Sequence, residues 1–487
     1  VFLIFSFPYA NVIWFAWIGL VPLLFVIDRT GRKGAFGYAF LKGFVFFFCV
    51  LFWIHHVTFL GLFLLTAYLS LFFGAFGLLV KILSVRSLSV RLFVLPSVWV
   101  VLEFLRGHLF SGLGWAALGH SQATNTLLIQ IADITGEAGV SFILVMGNVL
   151  LKEHIAFLGK GGRSPGLFRE TGIFVVVLCA AFVYGAWRMG AIPQAKGQAV
   201  RVAVIQGNVS LAEAWTPALR PLAVEKYLAL SREALEIKPD LVIWPETAFP
   251  NFFWEYPEQM KELKALARVS KTPFLVGAVS MEGEAYYNSA ILISADGQAA
   301  DKYNKIHLVF FGEYIPLRKE LPFSADIVPI DDFTAGQTWI RFSLKEGGTF
   351  ASLICFEDTL PEIARRFAVG EAGFFVNITN DAWFGDSPEP AMHLDNAVFR
   401  TVENRRPMVR AANTGISCLI DSHGVVKERV ADKTGRQVLV SGFVVGEVIP
   451  GTGCTFYTKF GDFFTFLCFL GILNTLFLPK IKKRRRS

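Results

Sequence analysis

Long uncharged apolar runs crowd residues 1–192, give way to alternating apolar and polar segments over 195–450, and return once near the end. The runs lie at 12–27, 36–53, 60–80, 92–102, 140–151, 172–187 and 463–478. A helix needs about 20 apolar residues to cross the hydrocarbon core of a bilayer. The run at 60–80 reaches that length, others come near it, and the shorter ones need flanking residues to do so. The chain starts at Val1, and "VFLIFSFP" reads as the tail of one more helix. Residues 1–192 are therefore expected to hold about seven transmembrane helices, the first cut short, with no cleavable leader visible. A last transmembrane helix is expected at 461–479, and a basic tail at 480–487.

The middle segment has a different period. "VRVAVIQGN" (200–208), "DLVIW" (240–244), "PFLVGAV" (273–279) and "NSAILIS" (288–294) read as buried strands, the last closed by the hairpin signal Asp296-Gly297. "FASLIC", "GFFVNIT" and "VRAANTGISCLID" add more strands. Helices are predicted at 217–237, 256–269, near 359–367 and at 390–405. Strands alternating with helices define a layered α/β domain with mixed sheets.

Charge then orients the chain. Lys and Arg between spans mark the cytoplasmic side. Arg29, Arg32 and Lys33 form one basic loop, Lys81, Arg86 and Arg91 a second, and Lys152, Lys160, Arg163 and Arg169 a third. Lys480, Lys482, Lys483, Arg484, Arg485 and Arg486 end the chain. Residues 54–61 and 107–139 carry no Lys or Arg. This alternation puts 195–450 outside the cytoplasm. The net charge of +7 then sits largely in cytoplasmic loops beside anionic lipid and gives no reason to expect a nucleic-acid partner. With 54% hydrophobic residues and 49 Phe, the chain is too apolar for an ordinary soluble protein. The six cysteines have no metal-ligand spacing. Cys355, Cys418 and Cys454 face an oxidising compartment, where Cys418 and Cys454 could pair. Neither a metal nor an organic cofactor is implied.

Reactive side chains recur where strands end, which is where α/β sheets form sites. Glu246 follows "LVIWP", Lys305 lies in "DKYNKIHL", Cys355 ends "FASLI", and Asn380-Asp381 follow "GFFVNIT". Glu, Lys and Cys suit acyl transfer. A carboxylate can take a thiol proton, a thiolate attacks carbonyls well, and an ammonium can hold an oxyanion. On residues alone, Glu313 reads as an ion-pair partner of Lys305 and Glu357 as a structural acid. Residues 380–385 read equally as a site wall or a turn, with Asn380 and Trp383 the site candidates. Glu103 and Arg106, near the outer end of a span, are expected to pair or to sit at the interface, since charge within a bilayer is costly.

"WPETAFP" (244–250), "DKYNKIHLVFFGEYIP" (301–316), "SLICFED" (352–358) and "NITNDAWFGD" (377–386) resemble the nitrilase superfamily. Together with the spans and "EFLRGHLFSGLGWAALGHSQ" (103–122), the chain resembles that superfamily's membrane-embedded branch, the bacterial apolipoprotein N-acyltransferases. The resemblance covers nearly the whole chain. It implies a multi-span α-helical membrane domain plus an extracytoplasmic α-β-β-α sandwich at 195–450, on the periplasmic side of the inner membrane. It implies a triad of Glu246 as general base, Lys305 as oxyanion stabiliser and Cys355 as nucleophile, with Glu313 and Glu357 in support. Trp215, in "LAEAWTPAL", matches a loop tryptophan of the family tied to activity. Family members often carry Tyr after the nucleophile, where this chain has Phe356. The implied donor is a membrane phospholipid and the implied acceptor the diacylglyceryl-cysteine of an apolipoprotein; the enzyme is expected to be a monomer.

Two other readings stay open on residues alone. The same triad could serve a membrane-anchored amidase or hydrolase with water as second nucleophile, although so many spans exceed what a tether needs. A transporter or receptor with a binding-only outer domain would need ionisable pairs deep in its spans, and few are present. The aromatics of "FPNFFWEYP" (249–257), "LVFFGEY" (308–314) and "DAWFGD" (381–386) either lean toward lipid and admit acyl chains or cover the domain core.

Overall fold

The computed structural model describes residues 2–85, 87–110, 112–158, 165–190, 198–216, 218–252, 257–315, 332–345 and 348–484. Arg86, Lys160, Arg163, Trp254, Pro316, Arg485 and Arg486 lie outside the described residues, as do the side chains of Trp215, 250–256 and 478–484. Val1–Ile192, Ala391–Glu403 and Thr455–Ser487 form one compact unit, and Pro193–Pro390 and Asn404–Cys454 the other.

The first unit is helical. Its elements are α1 (Val21–Arg29), α2 (Arg32–Val50), α3 (Phe59–Leu83), α4 (Leu88–His108), the short α5 (Ala132–Thr135), α6 (Glu137–Leu158) and α7 (Pro165–Gly190). Among the described residues, five helices are long and apolar enough to cross a membrane: α2, α3, α4, α6 and α7. The run at 12–27 is not one span. It divides into a 3-10 turn, Ile13–Trp17, and the nine-residue α1. Pro22 has no N–H and fits only a first helical turn, so it marks where α1 begins. Nine residues rise only about 14 Å, less than half of a hydrocarbon core. The side chain of Asn148 on α6 satisfies this irregular backbone. It donates to the Ala16 carbonyl and accepts from Leu20 N–H, both at 2.8 Å.

Small residues let α2 and α3 approach closely, which matters in lipid because apolar tails give no net force between apolar helices. A Cβ on Gly77 would lie 2.3 Å from the Ala35 carbonyl oxygen, and one on Gly43 would lie 2.7 Å from Phe73. Glu103 and Arg106 on α4 each find backbone partners. Glu103 accepts the Leu118 N–H at 2.7 Å, while Arg106 donates to the Trp115 and Gly114 carbonyls at 2.5 and 3.3 Å. Asp28, Arg91, Lys152 and Glu153 tie the ends of α1, α4 and α6, with Arg91 3.1 Å from Asp28 and 3.2 Å from Glu153.

The second unit carries two sheets. The first holds β1 (Val200–Gln206), β2 (Leu241–Ile243), β3 (Phe249–Phe252), β4 (Phe274–Glu282), β5 (Ala285–Ile293) and β6 (Ala299–Asn304), and takes in β13 (Gly442–Val448). Its order is β13-β1-β2-β4-β5-β6, with β3 on β4. The second holds β7 (Phe342–Leu344), β8 (Gly348–Ile354), β9 (Phe374–Thr379), β10 (Met408–Ala412), β11 (Cys418–Ile420) and β12 (Val426–Arg429), in the order β12-β11-β10-β9-β8-β7. Parallel pairs β1–β2, β2–β4, β8–β9 and β9–β10 sit inside antiparallel edges. Each is the mixed sheet the alternation predicts.

After the short α8 (Leu211–Trp215), α9 (Arg220–Leu235) and α10 (Pro257–Ser270) cover the first sheet through a core that includes Tyr227, Leu228, Leu263 and Trp244. The Trp244 ring stacks on Tyr227 at 5.3 Å and donates its indole N–H to Ser231 at 2.8 Å. α11 (Pro361–Val369) lies beside the second sheet and α12 (Glu389–Asn404) follows, while α13 (Phe456–Phe460) and α14 (Phe463–Arg484) belong to the helical unit. Residues 408–420 form a hairpin, because Asn413-Thr414-Gly415 turns the chain between β10 and β11. Cys418 and Cys454 are both free, the first buried and the second exposed.

Part of α12, Ala391–Glu403, belongs to the helical unit. Arg400, fully buried, donates to Glu137 at 2.6 Å and meets Glu403 at 2.9 Å. His120 reaches the same Glu137 oxygen at 2.8 Å.

Replacing Gly77 with Leu is expected to overpack the α2–α3 seam and cost about 1–3 kcal/mol. It will lower the thermal unfolding midpoint of the detergent-solubilised protein. Gly37→Leu, where a new side chain meets open space, will leave that midpoint in place.

Candidate active site

Four strand ends meet. β2 stops at Ile243, and Trp244-Pro245 carry the chain to Glu246. Proline has no N–H to continue a ladder, so the strand cannot run on. β6 stops at Asn304, immediately before Lys305. β8 stops at Ile354, and Cys355 opens a 3-10 turn, Cys355–Thr359, with φ +51°. A non-glycine residue in that left-handed region is strained, and such strain gathers at functional sites. β9 stops at Thr379, before Asn380.

The Lys305 ammonium is the centre of the cluster. It is 1% exposed and lies 2.8 Å from Glu313 and 3.8 Å from Glu246. Burial works against its charge, but the negative charges of Glu313 and Glu246 outweigh burial and hold it protonated well above the ordinary lysine range. Glu246, 7% exposed, accepts the Asn380 N–H at 2.8 Å and the Asn288 side-chain amide at 2.7 Å. Burial pushes its carboxyl up, helped by the Glu313 charge and opposed by Lys305 and by those two donors. Burial also drives the Cys355 thiol well above its ordinary value. The Glu246 charge adds to this, while Lys305 and a hydrogen bond with Thr379 work the other way. At rest the sulfur holds its proton, beside a carboxylate made more basic than usual.

Glu357 joins two of the strand ends. One oxygen accepts the N–H groups of Ile306 and His307, at 2.8 and 3.1 Å, and the Tyr303 hydroxyl at 2.9 Å. The other accepts the Ile354 N–H at 2.8 Å. The residues flanking Lys305 and Cys355 are thus fastened to one carboxyl group. Burial raises that carboxyl to about 7, against the pull of its backbone donors and of Lys305.

A further layer lies behind the turn. Arg410, fully buried on β10, donates to Asp358 at 2.9 Å, Asn377 at 2.8 Å and Asp381 at 3.3 Å. Asn377 in turn donates to the Cys355 carbonyl at 3.2 Å.

The structure brings together Glu246, Lys305, Cys355, Glu313, Glu357 and Asn380. Glu313 does pair with Lys305, and Asn380 acts on Glu246 through its backbone N–H. The Phe356 ring stacks against His307 at 6.0 Å. Trp383 is 43% exposed on the turn Asp381–Phe384.

Asn288 and Arg410 escape a reading based on strand ends, because both lie within strands. The hairpin held a signal for the first. Counting outward from Asp296-Gly297 pairs Ser289 with Asn304 and sets Asn288 opposite Lys305, whose N–H donates to the Asn288 carbonyl at 2.8 Å.

Residues 201–446 match the family described as carbon-nitrogen hydrolase, and residues 1–150 match the apolipoprotein N-acyltransferase N-terminal domain. The class is thus a carbon–nitrogen hydrolase domain joined to a helical membrane domain. An apolipoprotein N-acyltransferase of Geobacter metallireducens is 38% identical over 489 residues, covering 97% of this chain and 92% of that protein. One of Methylococcus capsulatus is 36% identical over 431 residues, covering 87% and 80%. The chain belongs to the apolipoprotein N-acyltransferase family, membrane enzymes that acylate apolipoproteins. A carbon-nitrogen hydrolase structure from Helicobacter pylori is 17% identical with a TM-score of 0.40, covering 52% of this chain and 89% of that one.

Gly277 on β4 leaves room for the Glu246 segment. A Cβ there would lie 2.3 Å from the Pro245 carbonyl oxygen and 2.6 Å from the Glu246 Cα. Gly277→Ala is expected to displace Glu246. A misplacement near 1 Å costs about 100-fold in rate, to be read as initial N-acylation velocity on a purified variant.

Proposed function

We propose that Cys355 carries a fatty acyl group from a membrane phospholipid to the N-terminal amine of a diacylglyceryl apolipoprotein, in two half-reactions. In the first, Glu246 takes the Cys355 proton as the sulfur attacks the donor ester. Lys305 holds the oxyanion of the tetrahedral intermediate. The C–O bond breaks, the proton passes from Glu246 to the departing lysophospholipid oxygen, and a thioester remains. In the second, the α-amine of the acceptor attacks that thioester. Glu246 takes a proton from the amine and returns it to sulfur, leaving an amide. No proton is gained or lost over the cycle.

The observation that carries this reading is the meeting of one thiol, one raised carboxyl and one buried ammonium from three separate strand ends. Glu313 then serves as the fixed counter-ion of Lys305, leaving Glu246, at 3.8 Å, less tightly engaged. The site works on the periplasmic face of the inner membrane as a monomer, an orientation supported by the basic loops 29–33, 81–91 and 152–169. Exposed aromatics beside the site, Phe311 at 52% and Trp383 at 43%, suit a donor whose chains stay in lipid. The Trp215 loop contributes to substrate handling.

The test uses full-length protein in detergent with a phospholipid labelled in its acyl chain. Wild type is expected to acquire a hydroxylamine-sensitive label and Cys355→Ala to acquire none. Equal labelling of the alanine variant would remove Cys355 from its role. Adding a diacylglyceryl peptide should move the label onto the peptide as an amide. Release only as free fatty acid would favour the hydrolase.

A further inference from the structure

Two buried carboxylates beside a single ammonium face a general difficulty. Like charges held together in low dielectric lower their energy by sharing a proton. Glu246 and Glu313 stand in that relation, since both meet Lys305. A Glu246 that rested protonated could not take a proton from Cys355.

Asn288 lies between them. Its side-chain nitrogen donates to Glu246 Oε1 at 2.7 Å and to Glu313 Oε1 at 2.8 Å. Each of its two amide hydrogens therefore goes to a different carboxylate. The residue is 3% exposed, and its own Oδ1 is buried with no hydrogen-bond partner among the described residues. A buried amide normally satisfies both ends. Here the carbonyl end goes without, which fits an amide fixed by its two bonds to charged acceptors. The backbone carbonyl of Asn288 also accepts the Lys305 N–H at 2.8 Å. One residue thus holds base and counter-ion with its side chain and the backbone of the lysine with its own.

We propose that Asn288 is a positioning residue for the acylation reaction: it holds Glu246 and Glu313 on opposite amide hydrogens, prevents them from sharing a proton, and keeps Glu246 ionised and aimed as the base. This rests on the reading of Glu246 as the base for Cys355. The groups facing Glu246 from each packed element are Asn288 on β5, Lys305 after β6, Glu313 in the following loop, Cys355 after β8 and the Asn380 N–H after β9. Of these, Asn288, Lys305 and Asn380 favour the ionised carboxylate, while burial and Glu313 oppose it.

The sign of the pH effect follows. The base works only when deprotonated, so the acylation rate falls as pH drops through the Glu246 pKa. Removing the Asn288 donor raises that pKa and moves the acid limb of the profile to higher pH. The experiment measures the rate of hydroxylamine-sensitive labelling from acyl-labelled phospholipid against pH, for full-length wild type, Asn288→Ala and Asn288→Asp in detergent, with the unfolding midpoint of each. A shift of about one pH unit is expected for Asn288→Ala, hence about tenfold slower labelling below the limb and recovery above it. Asn288→Asp, isosteric but adding a third acid, is expected to shift the limb further. If the alanine variant is not recovered folded, the aspartate variant decides. A wild-type acid limb in a folded variant would overturn the proposal, whatever the absolute rate, because a purely structural role lowers rate and midpoint without moving the limb. If wild type itself takes no label, the thiol reading fails first and the proposal with it.

Discussion

A lysine ammonium 1% exposed to solvent sets the terms for the rest of the catalytic unit. Removing such a charge from water is expensive unless opposite charge and hydrogen bonds replace the lost hydration. Lys305 therefore requires carboxylates at short range, and Glu313 and Glu246 supply them. Those carboxylates, being buried too, require donors of their own. Glu313 finds Asn288 and the Val309 N–H at 2.9 Å, while Glu246 finds Asn288 and the Asn380 N–H. Following each unpaired atom to its partner traces the site from the first sheet to the second.

The same logic explains how a strained nucleophile is held. Cys355 stands at φ +51°, a conformation that persists only where its surroundings over-determine it. Glu357 fixes the turn from one side through Ile354, Ile306 and His307. Arg410, Asp358 and Asn377 fix it from the other. Removing one member of a buried ionic set leaves its partner's charge uncompensated, so such sets are stiff. A stiff support suits chemistry that needs thiol, base and cation in register.

The helical unit solves a different problem with different residues. Water is absent around its spans, so contact comes from close packing and internal hydrogen bonding. Gly43, Gly74 and Gly77 let α2 and α3 touch. Asn148 satisfies the irregular backbone near α1, and carbonyls of 114–115 hold Arg106. The stretch 12–27 shows why apolar length alone overestimates spans. It is apolar enough, but Pro22 and the short α1 break its helical continuity.

Patterning along the chain determined much. Apolar runs separated a helical unit from an α/β unit, because burial in lipid and burial in a sheet impose different periods. Strand ends pointed to Glu246, Lys305, Cys355 and Asn380, because sheets expose their ends. What the sequence could not decide was which residues inside strands face those ends. Asn288 and Arg410 look like ordinary sheet residues until register is known, since a one-residue slip turns a side chain to the opposite face. Nor could it decide that residues 391–403, read within the soluble segment, cluster with the apolar helices. That follows from Arg400 meeting Glu137, a contact inside the helical unit between residues far apart in the chain, which no local pattern reveals.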